Sequence, residues 1–127
     1  MNDKVNVLLV DDQPDKLLAY EVILGDLGEN LVKTQSARDA LQFLLKNDVA
    51  VVLVDVCMPE LDGLAVARKL CRAGCNTRIV LLTQIEDEDY ITEARAIAYG
   101  YVFKRRLHTD LPLAVASAIS GAFFLSR

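Results

Sequence analysis

The sequence predicts an α/β fold in which a parallel sheet carries helices on both of its faces. Short apolar runs alternate with helical patterns along the chain, which is the order typical of such a sheet. Two of the runs, residues 5–10 and 49–54, consist mainly of Val and Leu, as expected for strands that are covered on both faces. At 127 residues, with 53% apolar and 25% charged side chains, the chain fits one globular domain with a substantial core.

Five runs are predicted to be strands, and the segments between them to be helices. A first helix opens at Pro14 and closes near Gly28, because proline suits a first helical turn and glycine suits the position after the last one. A second helix starts at Ser36, which resembles a capping box together with Asp39. Its predicted apolar stripe is Ala37, Ala40, Leu41, Leu44 and Leu45. The predicted strands are residues 5–10, 30–35, 49–54, 78–82 and 101–104.

Three further helices are predicted in the second half of the chain. The third runs over residues 63–73, with Gly74 as its C-cap. The fourth begins in the acidic stretch 86–89, where the helix dipole favours negative charge, and continues through Ala98. The fifth starts at residues 109–111 and runs to the C-terminus.

Composition and charge exclude several classes of function. The net charge of −4 argues against a nucleic-acid-binding or membrane-binding surface. No signal peptide is visible and every apolar segment is too short to span a bilayer, so we expect a cytoplasmic protein. Cys57, Cys71 and Cys75 form no CxxC motif and are interpreted as reduced thiols. The single histidine, His108, is expected to be solvated in a connecting segment rather than bound to a metal.

Three carboxylates follow two of the predicted strands and indicate a functional site. Asp55 closes the run at residues 49–54, and Asp11 and Asp12 close the run at residues 5–10. Strand ends of open α/β sheets gather in one crevice, so these acids are expected to converge. Because clustered carboxylates repel one another, a hard cation among their oxygens is favoured, and Mg²⁺ prefers such ligands.

Further motifs stand in order along the chain, each at a predicted strand end or just beyond one. Met58-Pro59 and Asp62-Gly63 follow Asp55, Thr83 ends the next strand, and Tyr101 and Lys104 lie in the last one. With the acidic residues, they resemble the receiver domain of two-component response regulators over nearly the whole chain. The resemblance implies a flavodoxin-like, doubly wound five-stranded sheet of order 2-1-3-4-5 with five helices. It also implies one receiver domain over residues 1–127, either alone or excised from a longer regulator.

The resemblance implies a chemical role for each of these residues. Asp55 is expected to accept a phosphoryl group from a sensor histidine kinase or a phosphotransfer protein. Such a domain signals through phosphorylation and is no enzyme in the usual sense. The implied Mg²⁺ ligands are Asp11, Asp12, Asp55 and the backbone carbonyl of Cys57; Thr83 and Lys104 contact the phosphate, and Thr83 and Tyr101 form the switch.

Several alternatives remain open from the sequence. Asp55 could be a helix cap or a purely metal-binding acid, and Lys104 could extend into solvent with its two neighbouring arginines. Gln84 and Arg105 replace the small residue and the proline that are usual in this family. They suggest slow phosphotransfer, slow hydrolysis or both. They also give some weight to a pseudo-receiver that acts only as an interaction module, whereas the intact Asp55, Thr83 and Lys104, with Asp12, count against it. An aspartyl-phosphate phosphatase fits poorly, because the acids of the first strand are adjacent rather than spaced Asp-x-Asp.

The last predicted helix carries apolar residues on nearly every face, although a surface helix needs only one apolar stripe. Small side chains at Ala114, Ala118 and Ala122 are expected to let a second helix approach, and Phe123 and Phe124 to extend the contact. The sequence therefore predicts a homodimer through the two C-terminal helices. The alternative is a monomer in which the Ala and Ser positions face solvent.

Overall fold

The computed structural model describes residues 4–55, 57–58, 61–62, 68–69, 77–84 and 87–126. Its main strands are β1 (Asn6–Val10), β2 (Asn30–Thr34), β3 (Val51–Asp55), β4 (Arg78–Thr83), β5 (Gly100–Phe103) and β6 (Phe124–Leu125). Its α-helices are α1 (Pro14–Leu24), α2 (Ala37–Lys46), α3 (Glu88–Arg95) and α4 (Leu107–Ser120). Short 3-10 turns, Gly25–Leu27 and Lys104–Arg106, follow α1 and β5, and Cys57–Met58 pairs antiparallel with Leu61–Asp62.

The strands form one parallel sheet in the order β2-β1-β3-β4-β5-β6. The predicted order of the first five strands is therefore confirmed. The sixth, β6, extends the sheet beyond β5 and was not predicted from the sequence. Four of the strands, β1, β3, β4 and β5, have neighbours on both sides, and nearly all of their residues are buried.

Helices cover both faces of the sheet, which confirms the doubly wound architecture. Side chains alternate along each strand, so each strand contributes to two apolar cores. Leu8, Val10 and Val52 face α2 and α3, whereas Val7, Leu9 and Leu53 face α1 and α4. These two cores account for the almost uninterrupted apolar sequence of the central strands.

Three of the helix starts follow from local hydrogen bonding or backbone geometry. Pro14 stands in the first turn of α1, as predicted. The Ser36 hydroxyl accepts a hydrogen bond from the Asp39 amide at 3.1 Å, which caps α2. The Asp87 carboxylate accepts hydrogen bonds from the amides of residues 89 and 90, so α3 begins at Glu88, within the predicted acidic stretch. An acceptor ahead of the first turn satisfies amides that have no partner inside the helix.

Two predictions about individual side chains are wrong. Leu45, assigned to the apolar stripe of α2, is 86% exposed. It lies eight residues after Ala37, about 80° around the helix, and therefore at the border of the buried stripe. His108 lies in the first turn of α4 and not in a connecting segment, although it is exposed as expected.

The predicted third helix falls almost entirely outside the described residues. Arg68 and Lys69 are helical, and the Arg68 guanidinium forms an ion pair with Glu93 of α3. Cys71, Cys75 and the proposed cap Gly74 lie outside the described residues.

The prediction that the last helix continues to the C-terminus is wrong. It ends at Ser120, and Gly121 follows with a φ of 88°, a left-handed conformation that glycine adopts at low cost. Ala114 and Ala118, predicted to face a partner helix, are fully buried beneath the sheet. The apolar character of this helix is thus largely explained by contacts within the domain.

The C-terminal segment is anchored to β5 by both backbone and side chain. Phe124 and Ser126 donate amide hydrogen bonds to the carbonyls of Tyr99 and Tyr101, each at 2.9 Å. The Ser126 hydroxyl accepts a hydrogen bond from the Phe103 amide at 3.1 Å and donates one to the Asp110 carboxylate at 2.7 Å. Both Ser126 and Asp110 are buried, so this hydroxyl links strand, helix and C-terminal segment in a water-poor environment.

Arg106 completes this polar cluster. Its Nε donates a hydrogen bond to Asp110 Oδ2 at 3.0 Å. Burial alone raises the pKa of Asp110, but the hydrogen bonds from Ser126 and Arg106 outweigh it and hold the pKa below its ordinary value of 3.8. A carboxyl group whose pKa is lowered by folding stabilises the protein above its unfolded pKa. That contribution is lost as the pH falls through the folded pKa.

Replacing Ser126 should therefore destabilise the fold. In Ser126→Ala the buried Phe103 amide and the Asp110 carboxylate each lose a partner, so we expect the free energy of unfolding to fall by about 1–3 kcal/mol at pH 7. The loss should shrink as the pH falls through the lowered pKa of folded Asp110, because below it that carboxyl is protonated in both variants. Urea titrations at several pH values measure it. Ser120→Ala, which removes an exposed hydroxyl bonded only to the Ser117 carbonyl, is the control and should change little.

Candidate functional site

Polar side chains follow four neighbouring strands at the point where each strand ends. Asp11 comes directly after β1, Asp55 ends β3, Thr83 ends β4 and Lys104 comes directly after β5. Because all four strands run parallel, their carboxyl ends lie at one edge of the sheet. The expected convergence of these residues on one edge is therefore observed.

The Asp55 carboxylate is buried, with 3% of its side chain exposed, and two lysines lie beside it. The Nζ of Lys104 is 3.0 Å from Asp55 Oδ2. The Nζ of Lys16, in the first turn of α1, is 3.6 Å from the same oxygen. An unpaired carboxylate in this position would carry a large desolvation cost, which the two ammonium groups offset.

The contact with Asp55 decides one alternative that the sequence left open. Lys104 does not extend into solvent, since only 19% of its side chain is exposed. Its two neighbours are engaged elsewhere: Arg105 stacks over the ring of Phe103 at 5.1 Å, and Arg106 pairs with Asp110. The peptide bond between Lys104 and Arg105 is trans, as expected for a non-proline residue.

Asp11 is fully buried, and both of its carboxylate oxygens accept hydrogen bonds. The Gln13 amide donates to Oδ1 at 3.0 Å, and the Tyr20 hydroxyl donates to Oδ2 at 2.7 Å. Burial raises the pKa of Asp11, and the nearby charge of Asp55 adds to the rise, while the two hydrogen bonds oppose it. Burial and the Asp11 carboxylate together raise the pKa of Tyr20, so that this hydroxyl remains a hydrogen-bond donor.

Asp12 is exposed just beyond the buried acid. Within the described part of the chain, no three His, Cys, Asp or Glu side chains are grouped so that they could hold a metal ion by themselves. A Mg²⁺ site does not require three such side chains, because the ion commonly keeps several waters and binds through one or two carboxylates. The Asp11 and Asp55 carboxylates lie at the same edge of the sheet, and hard oxygen donors of this kind fit such an ion.

Thr83 and Tyr101, the expected switch residues, are both buried. The Tyr101 ring makes edge-to-face contacts with Tyr90, at 6.3 Å between centroids, and with Phe103, at 5.8 Å. Thr83 is aligned with Phe103 across the β4–β5 pair. The same aromatic cluster therefore extends from Tyr101 to the strand end beside Thr83, and the switch roles stay predictions.

Gln84, which departs from the small residue usual in the family, is exposed. With Phe103, Lys104 and Arg105 it lines a small cavity of about 90 Å³ beside the site. Its side chain thus lies close to Lys104 rather than in the core. Whether it slows phosphotransfer stays a prediction.

Two residues of the site were missed by the sequence analysis. Tyr20 lies within the predicted first helix, and that position does not reveal that its hydroxyl reaches Asp11. Lys16 offered a better signal: a cation in a first helical turn opposes the helix dipole. A lysine at this unfavourable position, four residues after Asp12, indicates that a nearby anion offsets the unfavourable interaction with the helix dipole.

A family model for the response regulator receiver domain matches residues 7–116. This match covers most of the chain. The chain belongs to the response regulator receiver domain family. Receiver domains of this family are signalling domains rather than classical enzymes, and their partners are histidine kinases or phosphotransfer proteins. Phosphoaspartate and Mg²⁺ are general features of the family.

Curated relatives agree with this assignment. The chain is 32% identical over 122 residues to the uncharacterized transcriptional regulatory protein YxjL of Bacillus subtilis, covering 94% of this chain and 56% of the relative. It is also 32% identical over 125 residues to the response regulator UvrY of Escherichia coli K12, covering 96% of this chain and 57% of the relative. The chain therefore spans a little over half the length of these relatives.

Solved structures share the fold. The isolated receiver domain of RcsB from Salmonella enterica serovar Typhimurium superposes with a TM-score of 0.88 at 25% identity, covering 98% of this chain and 94% of that one. The receiver domain of the Francisella response regulator 1452 gives a TM-score of 0.83 at 20% identity, covering 93% and 98%. Among the described helices, none is both long and apolar enough to cross a membrane.

Proposed function

We propose that this receiver domain accepts a phosphoryl group on Asp55 from a phosphohistidine of a sensor kinase or a phosphotransfer protein. The observation that carries the proposal is the buried Asp55 carboxylate at the end of β3, with the Lys104 ammonium 3.0 Å away. One carboxylate oxygen attacks phosphorus and forms an acyl phosphate. The P–N bond of the donor breaks, and its electron pair stays on the imidazole nitrogen.

Lys104 serves this reaction as a fixed positive charge. In phosphoryl transfer, negative charge is spread over the three equatorial oxygens of the transferred group, and catalysis depends largely on positioning and charge stabilisation. The ammonium already contacts the oxygen of Asp55, so it lies beside the position that the phosphoryl group takes. A lysine also supplies several donors to phosphate oxygens, which suits a group that changes geometry during transfer.

A Mg²⁺ ion fits the same edge of the sheet. We assign its ligands to Asp11, Asp12, Asp55 and the backbone carbonyl of Cys57. When bound, the ion supplies positive charge that offsets the negative charge of the phosphoryl oxygens. Asp12 is the more direct ligand of the acidic pair, and Asp11, whose two oxygens each already accept one hydrogen bond, assists directly or through water.

The phosphorylated state is proposed to reach the surface through Thr83 and Tyr101. The Thr83 hydroxyl, at the end of β4, binds the phosphate and draws its loop inward. Tyr101 then changes its packing against Tyr90 of α3, so phosphorylation biases a two-state equilibrium at the α3 surface. The buried aromatic contacts of Tyr101 support this route, because a packed cluster favours discrete arrangements over a continuous shift.

One observation favours a second candidate, a pseudo-receiver that binds a partner without phosphotransfer. The Tyr20 hydroxyl and the Gln13 amide occupy both oxygens of Asp11, which leaves fewer free oxygen ligands for a metal than the acidic pair suggests. The intact pairing of Asp55 with Lys104 favours phosphotransfer instead. Treatment with acetyl phosphate and Mg²⁺ separates the two, since only the first candidate gains a phosphate.

We further propose that residues 1–127 form one receiver domain and that any output lies in a partner or in a longer regulator. The curated relatives are longer and are named as transcriptional regulators or response regulators. The cytoplasm, where a phosphorylated kinase presents its histidine, is the proposed location.

Asp55 should be the sole phosphoacceptor. After incubation with acetyl phosphate and Mg²⁺, intact mass should show one added phosphate on the wild type and none on Asp55→Asn, because the amide is a poor nucleophile. Asp26→Asn, which alters an exposed acid far along the chain from Asp55, should gain the phosphate as the wild type does. A phosphate on the Asp55→Asn protein would place the acceptor elsewhere.

Mg²⁺ binding should depend on Asp12. Removing this carboxylate in Asp12→Ala should weaken Mg²⁺ binding by about tenfold or more while leaving the urea midpoint unchanged, because the side chain is exposed. Isothermal titration with Mg²⁺ measures the affinity, and Asp15→Asn is a neighbouring exposed control. Equal affinities in Asp12→Ala and the wild type would assign the metal to other ligands.

Self-association is proposed to use the surface of α3 and α4. Leu113 on α4 is 54% exposed, and Tyr99, after α3, is 40% exposed. Both are apolar side chains that a second copy would bury. We expect sedimentation velocity to give a dimer mass as concentration rises, and Leu113→Glu to shift it towards the monomer. A monomer at the highest concentration, with and without a phosphoryl mimic, would contradict this interface.

A further inference from the structure

Lys16 occupies a position in α1 that is unfavourable for a cation. It is the third residue of a helix that begins at Pro14, where the helix dipole presents partial positive charge. A lysine without an anionic partner would be electrostatically unfavourable at this position. The side chain is 40% exposed, so it is free to extend into water, yet its ammonium lies 3.6 Å from Asp55 Oδ2. The compensation for the dipole therefore comes from the phosphoacceptor site.

The ammonium also acts on the neighbouring acid. The charge of Lys16 lowers the pKa of Asp11, although burial, the larger effect, raises it. Lys16 thus contributes to the electrostatics of both buried carboxylates of the site. It enters from α1, whereas Lys104 enters from the turn after β5, so Asp55 lies between two cations from separate elements.

We propose that Lys16 is a second phosphate-contacting residue, which pairs with Asp55 before transfer and so competes with Mg²⁺ for that carboxylate. This proposal rests on the proposed phosphorylation of Asp55. Once the carboxylate carries a phosphoryl group, new anionic oxygens lie beyond Oδ2, on the side from which a long lysine side chain approaches. The ammonium then follows the charge from the carboxylate to a phosphoryl oxygen.

Two properties of the site support this competition on physical grounds. The same carboxylate serves the metal and the ammonium, so binding of one reduces the attraction of the other. Asp11 is already held by Tyr20 and Gln13, which leaves Asp55 as the main buried carboxylate that can respond to an added cation. A lysine with 40% exposure can leave at low cost when Mg²⁺ binds.

The test compares Lys16→Met with Lys33→Met. Methionine keeps much of the aliphatic length without the charge. Lys33 of β2 is a matched control: its side chain is 39% exposed and pairs at 3.3 Å with Glu21 rather than with an acid of the site. Lys16→Arg keeps the charge and should behave nearly as the wild type. Circular dichroism and urea titration establish that all variants are folded.

Two measurements are made on each protein. Isothermal titration of the unphosphorylated protein should show Mg²⁺ binding about fivefold tighter in Lys16→Met than in Lys33→Met at low salt. The reason is that the substitution removes an ammonium group that lies within about 4 Å of the shared Asp55 carboxylate. The difference should shrink at about 1 M salt, where exposed charges are screened. At saturating Mg²⁺, the initial rate of phosphorylation by acetyl phosphate should fall about fivefold in Lys16→Met.

The proposal requires both results. If Lys16→Met matches Lys33→Met in Mg²⁺ affinity or in phosphorylation rate, while the wild type is phosphorylated on Asp55, the role of Lys16 is overturned and the proposed function stands. If the wild type gains no phosphate with Mg²⁺ and acetyl phosphate, the proposed function fails and the role of Lys16 fails with it.

Discussion

The burial of the Asp55 carboxylate against two ammonium groups is the constraint on which the site depends. A carboxylate that is buried at the end of a covered strand without a positively charged partner would destabilise the fold. Lys104 and Lys16 offset that cost, because their ammonium groups lie 3.0 Å and 3.6 Å from Oδ2 of Asp55. Both lysines must therefore be held where the sheet ends, one by the turn after β5 and the other by the first turn of α1. The relative placement of these two elements follows from the packing of the sheet.

That packing was largely predictable, because it depends on patterns that are local in sequence. The apolar runs of β1 and β3 predict strands with two covered faces, and the acids that follow them indicate the edge of the sheet at which the site lies. Ser36 and Asp39 predict a helix start because a cap involves neighbours only a few residues apart. A parallel sheet then brings distant strand ends together without any further signal in the sequence.

The features that were missed involve contacts between distant residues or the reach of a side chain. Residues 121–126 were assigned to the last helix, because their pairing as a strand depends on contacts with β5 and α4 that are distant in sequence. Ala114 and Ala118 were assigned to a partner surface, because a sequence cannot tell whether small residues face a second chain or the domain's own sheet. The hydrogen bond from the Tyr20 hydroxyl to Asp11 was also missed, because a sequence does not show which group the end of a helical side chain contacts.

The short β6 strand also determines what the rest of the sheet offers to other chains. Without it, the outer edge of β5 would present unpaired amides and carbonyls, and such an edge is a template for edge-to-edge association and aggregation. The carbonyls of Tyr99 and Tyr101 instead accept hydrogen bonds from amides of the C-terminal segment. The amide of Phe103 donates a hydrogen bond to the hydroxyl of Ser126. The edge that replaces β5 is only two residues long. A strand of another chain could form only a few backbone hydrogen bonds with so short an edge. This side of the sheet is therefore protected from repeated edge-to-edge association.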